Sequence, residues 1–160
     1  MYKYEKPCTI LIDYIQILNL PKGEYKTSSR QEEIEQICIA LKDVAVETGL
    51  PIIIGSQFNK NVTNQLKILP NNIAEGVDIE GLASLIVGFW NNNFSPSGSD
   101  EEINKINSKG INVRGYLYTK ILKNRGGKVG LEGLLPFYGN KAKIENSRED
   151  SGILDIDELY

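Results

Sequence analysis

The sequence contains no histidine, one methionine, one tryptophan and only two cysteines in 160 residues. Without histidine the chain lacks the usual proton acceptor near neutral pH and the commonest transition-metal ligand, which argues against zinc chemistry. Cys8 and Cys38 both sit inside apolar patterns, as reduced core thiols do, and not in the paired spacing of a disulfide framework or metal knot. No apolar run approaches the roughly 20 residues of a membrane-spanning helix. The first seven residues, Met1-Tyr2-Lys3-Tyr4-Glu5-Lys6-Pro7, are polar and unlike a signal peptide. These absences lead to an expected cytoplasmic location. Bulk positive charge is also missing. A net charge of −3 argues against coating nucleic acid by electrostatics alone, although a local basic strip stays open.

What is present is the make-up of one globular domain, with 41% hydrophobic and 24% charged residues. The run Cys8-Thr9-Ile10-Leu11-Ile12-Asp13 reads as a buried strand ending on a carboxylate. Ser29-Arg30-Gln31-Glu32 then offers a capping box. Ile34, Ile37, Cys38, Leu41, Val44 and Ala45 keep the rhythm of a single buried helix face, and Gly49 is a natural stop. Pro51-Ile52-Ile53-Ile54-Gly55-Ser56 reads as a second fully buried strand. Strand, helix, strand with continuous apolar strands is a βαβ crossover, so the predicted class is α/β, with a mostly parallel sheet flanked by helices.

A third buried strand is expected over 83–90, after a polar connection from Asn59 to Gly81 that is too long for a simple turn. Residues 91–110, rich in Asn, Ser and Gly, read as a surface excursion with a short helix after Ser99. Tyr116 to Leu122, Val129 to Tyr138 and Ala142 to Ile144 read as antiparallel strands, with Gly126-Gly127 as the hairpin turn. This makes a C-terminal antiparallel hairpin extension. The domain is expected to span 1–146, followed by an acidic tail over 147–160.

Open α/β sheets bind ligands at the carboxyl ends of their strands, where Asp13 should emerge. There it can hold magnesium against phosphates, or simply cap a turn; the residue alone leaves both readings open. Gln57, at the end of the neighbouring strand, can orient water or sense a γ-phosphate, or merely end a buried strand. Lys123 and Arg125 beside the hairpin read equally as a solvated basic turn.

In order along the chain, Ile12-Asp13-Tyr14-Ile15-Gln16-Ile17 resembles I-D-Y-L-Q-L, and Ser29-Arg30-Gln31-Glu32-Glu33-Ile34 resembles R-Q-x-E-I. Leu50-Pro51-Ile52-Ile53-Ile54-Gly55-Ser56-Gln57-Phe58-Asn59-Lys60 resembles V-P-V-I-A-L-S-Q-L-N-R, and Lys123-Asn124-Arg125-Gly126-Gly127-Lys128-Val129-Gly130 resembles K-x-R-N-G-x-x-G. All four motifs are those of the C-terminal, RecA-like ATPase domain of DnaB-family replicative helicases. The match covers roughly residues 8–146. Recombinase- or clock-type RecA-like ATPases fit the Ser56-Gln57 and Lys123-x-Arg125 pattern less well.

This resemblance implies a ring-forming, ATP-dependent DNA helicase. In it Asp13, the Walker B carboxylate, serves Mg²⁺ and ATP, and Gln57 couples nucleotide state to the DNA-binding loops. Lys123 and Arg125 form a basic finger that reaches a neighbouring subunit's γ-phosphate. Two departures stand out. The family's DNA loop, D-L-R-E-S-G, corresponds here to Asn72-Ile73-Ala74-Glu75-Gly76-Val77. Ala74 and Val77 weaken single-stranded DNA contact there, leaving Lys60, Lys67 and Glu75 as candidate contacts. The second departure is the absence of any G-x-x-x-x-G-K-[ST] loop, which in the family precedes the Walker B strand.

From these expectations the 160-residue chain alone should bind ATP weakly and be inactive. Apolar surface left bare on the first strand and its helix should be covered by helicase subunits or by self-association. The alternative is a non-catalytic helicase-binding or regulatory protein derived from such a domain.

Overall fold

The computed structural model describes residues 8–21, 23, 25–63, 67–74, 79–91 and 115–145. The excursion expected over 91–110, all but its first residue, and the acidic tail lie outside them, as do Glu75 and Val77. The chain forms two compact units, one containing residues 1–59 and 73–82, the other 60–72 and 83–160.

The first unit is the expected βαβ crossover. Strand β1 (Ile10–Ile12) pairs in parallel with β2 (Ile52–Ile54), Ile10 facing Ile52 and Ile12 facing Ile54. Helix α1 (Arg30–Thr48) joins them. Its ends follow from local chemistry: Ser29 Oγ accepts the Glu32 backbone N–H at 3.2 Å, and Gly49 closes the helix in the left-handed conformation at φ 68°. The reciprocal half of the capping box is displaced by one residue. Glu32 Oε2 accepts mainly from the backbone N–H and hydroxyl of Ser28 (2.6 and 2.8 Å), with the Ser29 N–H a weaker influence on the same carboxylate. These bonds hold the Glu32 carboxyl below the ordinary glutamate range, with the Ser28 N–H the largest cause.

Ile34, Ile37 and Cys38 of α1 bury themselves with Ile15 in a small core, onto which Leu18, Leu20, Leu41, Ile54, Ile79 and Leu82 pack. Burial, and then the charge of Glu35, pushes the Cys38 thiol up to about 11, so it is an inert core group. Cys8 departs from expectation. It is exposed, because the ladder starts two residues later, at Ile10.

Two expectations part here: within the chain the strands are not covered on both faces, whereas apolar surface is left bare on the first strand and its helix, as expected. Leu11 is 71% and Ile53 57% exposed, so one face of the β1–β2 pair is bare. Alternation puts Ile10, Ile12, Ile52 and Ile54 on the other face. The apolar stripe of α1 also runs out toward its C-terminus, where Val44 and Val46 are exposed.

The second unit is a four-stranded antiparallel sheet in the order β3 (Leu85–Asn91), β4 (Tyr116–Asn124), β5 (Glu132–Tyr138), β6 (Lys143–Ile144). Parallel pairing among the described residues is therefore confined to β1 and β2, and the antiparallel part begins one strand earlier than expected. A continuous apolar run such as 85–90 carries burial information but no pairing direction. A cross-strand row, Trp90–Tyr118–Leu134, runs through the sheet, with Tyr118 and Leu134 buried.

The turn between β4 and β5 is wider than Gly126-Gly127 alone. Ile121 receives an N–H from Gly130, which sits at φ 81°, and donates its own to Leu131, leaving Val129 exposed in the loop. The connection over 59–81 carries a short 3₁₀ turn (Pro70–Asn72) and helix α2 (Ile79–Leu82). Val62, Ile68 and Ile73 within it are buried. No helix among the described residues is long and apolar enough to cross a membrane.

Candidate functional site

Asp13 leaves the carboxyl end of β1, and the chain turns at once into a 3₁₀ turn over Ile15–Ile17. The Asp13–Tyr14 peptide bond is cis. Two backbone bonds pin this exit to the end of β2: Gly55 N–H donates to Ile12 O at 2.8 Å, and Ile15 N–H donates to Gly55 O at 3.0 Å. Gly55 also makes room for the carboxylate. A Cβ built there would lie 3.3 Å from Asp13 Oδ1, closer than such contacts normally come.

Asp13 is therefore an exposed carboxylate held beside bare backbone at a strand terminus. One hard oxygen ligand of this kind suits Mg²⁺, which keeps most of its shell as water and phosphate oxygen. Among the described residues no three acidic, cysteine or histidine side chains gather into a metal cluster. A nucleotide's phosphates fit less well, because no stretch of this sequence supplies a phosphate loop.

Gln57 stands just beyond β2, and its backbone carbonyl accepts the Ala74 N–H at 2.8 Å. Its exposed side chain hydrogen-bonds no described residue. An isolated antiparallel bridge joins the next residue, Phe58, to Ile73. Asp13, Gln57 and Ala74 thus belong to one unit, with strand ends and loop start joined through backbone.

Three further residues organise this end, none given a role by the sequence reading. Gln16 Nε2 donates to Ser56 Oγ at 2.9 Å and to Ala74 O at 3.2 Å. Arg30 Nη2 donates to the carbonyls of Gln16 and Leu18, both at 2.8 Å, and Arg30 Nη1 pairs with Glu33. Glu33 Oε1 accepts the Leu20 N–H at 2.9 Å. The start of α1 thereby clamps the segment that follows Asp13. The signal lay in the R-Q-x-E spacing, which sets two opposite charges one turn apart.

Replacing Arg30 with alanine strips the Gln16 and Leu18 carbonyls of a charged donor. The expected cost is about 2 kcal/mol, since hydrogen bonds to charged groups contribute roughly 1.5–3 kcal/mol. Chemical denaturation checks it. Glu33 adds a pH signature. The Leu20 N–H, and then Arg30, hold its carboxyl below the ordinary glutamate value. A depressed folded-state value means the contribution is present at neutral pH and is lost as pH falls through that lowered value.

The other candidates lie in the second unit. Lys123 is half-buried in β4 opposite Ile86, and Arg125 begins the turn after β4 with its backbone N–H on Ser84 O at 3.0 Å. Lys60 is exposed, and Lys67 Nζ donates to Thr63 Oγ1 at 3.1 Å.

A family model described as the DnaB-like helicase C terminal domain matches residues 1–146. The chain belongs to that family. Its relatives include the replicative DNA helicase DnaB of Pasteurella multocida, 29% identical over 148 residues, which are 91% of this chain and 28% of the relative. A probable replicative DNA helicase of Trieres chinensis is 30% identical over 95 residues, covering 58% of this chain and 20% of the relative.

Two solved structures share the fold. One, an ATPase domain, matches with a TM-score of 0.69 and 24% identity, covering 88% of this chain and 44% of that one. The other, a DnaB-like replicative helicase solved for its interactions with primase, matches with the same score and identity over 30% of its length. This DnaB-family chain is thus a RecA-like ATPase-domain fold that spans under a third of each curated relative just described.

Proposed function

We propose that this chain supplies the metal-facing and DNA-loop part of a replicative-helicase motor, and that it hydrolyses ATP only alongside a polypeptide segment bearing a phosphate-binding loop. The observation that carries this reading is the exposed Asp13 carboxylate beside Gly55 at the carboxyl edge of the parallel pair. Asp13 would hold Mg²⁺, directly or through water; the bound ion would neutralise charge on the transferring phosphoryl group. Gln57, with its side chain exposed next to that edge, orients water or senses the terminal phosphate. Lys123 and Arg125 serve a neighbouring subunit's nucleotide. Lys60, Lys67 and Glu75 are the residues left to contact single-stranded DNA, a contact weakened by Ala74 and Val77.

The bare apolar face at Leu11 and Ile53 is the surface that the phosphate-loop segment, or another subunit, covers. The test is complementation. The purified chain and a P-loop-bearing fragment of a DnaB ATPase domain are assayed for Mg²⁺-dependent ATP hydrolysis separately and mixed. Hydrolysis is expected only in the mixture; no gain, with Arg125 intact, overturns the reading.

A second reading, a non-catalytic protein that docks on an intact helicase, is favoured by Ala74 standing where the family carries a loop arginine. It predicts that the chain associates with a complete helicase ring and slows it, with no hydrolysis gained by complementation.

A further inference from the structure

Gln16 is unlike the residues around it. It sits in the 3₁₀ turn three positions after Asp13, its amide donates twice, and its Oε1 is buried with no donor among the described residues. Buried amide oxygens are seldom left unpaired, because each costs roughly 1–3 kcal/mol. An apolar residue would fill the same place at less cost, so the amide's use lies in what it joins.

Its two acceptors belong to different pieces of chain. Ser56 stands just beyond β2, directly before Gln57, and Ala74 opens the stretch leading into residues 75–78. Ala74 is held a second time, by its N–H on Gln57 O. Gln16 itself is fixed from behind by Arg30 on its carbonyl. Asp13's exit, the end of β2 and Ala74 therefore meet at one side chain.

We infer that Gln16 is a positioning residue, whose amide fixes Ala74 against the strand ends that present Asp13 and Gln57. Its donor group matters more than its bulk. A displacement of the turn after Asp13 is passed to Ala74 through Nε2, while the Gln57 side chain remains free to meet a ligand. The consequence for a helicase rests on the function proposed above; the positioning role does not.

The test is amide hydrogen exchange on the whole chain, resolved at Ala74 by NMR, with the α1 amide of Ile37 as the internal reference. Gln16→Met keeps the bulk and removes both donors. Gln16→Glu keeps shape and polarity while offering no donor at neutral pH. Both are expected to speed Ala74 exchange about tenfold and to leave Ile37 unchanged. Ser56→Ala should give part of the effect and Ser56→Thr, which keeps the hydroxyl, none. Adding Ser56→Ala to Gln16→Met should change nothing further at Ala74.

Unchanged exchange at Ala74 in both Gln16 variants overturns the inference. So does equal loss of protection at Ala74 and Ile37, which would make Gln16 general core support. If Ala74 loosens as expected while the complementation mixture never hydrolyses ATP, the positioning role stands and the helicase reading falls.

Discussion

Asp13→Asn is expected to lower ATP hydrolysis by the complemented mixture at least about 100-fold, the scale seen when a single preorganised electrostatic contact to a reacting centre is removed. Asparagine is close to isosteric, so it keeps the contact with Gly55 and deletes only the charge. Asp13 is exposed, and substitutions of exposed side chains usually change stability by no more than about 0.5 kcal/mol. A parallel denaturation curve should therefore superimpose on that of the parent chain. Raising Mg²⁺ should recover part of the rate if the lost carboxylate contributed metal affinity. Full activity in the variant would remove Asp13 from the metal's coordination, whatever the ancestry of the motif. The neighbouring glycine supplies an independent check of geometry, because any side chain added there presses on the same Oδ1.

Ile34→Ala is expected to have the largest effect on folding. Ile34 is 0% exposed, faces Ile15 across the small core and lies one residue after Glu33, which holds the Leu20 N–H. Truncating a buried isoleucine costs roughly 2–5 kcal/mol, through lost transfer energy and the cavity left behind. A value near the middle, about 3 kcal/mol, would lower the melting temperature by about 10 °C in a chain of this size. Among the described residues, Ile15, Ile34, Ile37 and Cys38 form the buried centre of this cluster, so Ile34 makes up a large share of it. Val46→Ala on the same helix is the control. Val46 is 76% exposed, and its truncation should move the melting temperature by less than about 2 °C.

Helix α1 was legible because its signals are local: a serine cap, an i, i+3, i+4 stripe and a terminal glycine all act within one or two turns. The β1–β2 pairing was legible for a related reason, since two apolar strands joined by one helix can hardly pair otherwise than in parallel. The direction of β3 was not. Its partner, β4, begins 25 residues after β3 ends, and apolar content says nothing about which neighbour a strand chooses.

Of the candidate site, Asp13 and Gln57 are placed at neighbouring strand ends, as their position after apolar runs foretold. Gln16 and Arg30 were visible as letters of two motifs, yet their partners are mostly backbone carbonyls. A carbonyl carries no side-chain signature, so this part of the site could be read only after the chain was folded. The bare face of the β1–β2 pair follows from the missing phosphate-loop half and not from the strands' own pattern, because a continuous apolar strand implies cover without naming the cover's source.

The three-residue ladder between β1 and β2 also has a kinetic meaning. Its partners are 42 positions apart, Ile10 facing Ile52. Closing a loop of that length costs roughly 3 kcal/mol of chain entropy, about what three hydrogen-bonded pairs at roughly 1 kcal/mol each return, so the ladder leaves almost no surplus of its own. The helix between them forms from near neighbours on a far faster timescale. Folding of this unit should therefore begin in α1 and gather Ile15 onto Ile34 and Ile37, with the strands zipping last. Asp13, at the far end of that ladder, would be among the final groups to reach its place.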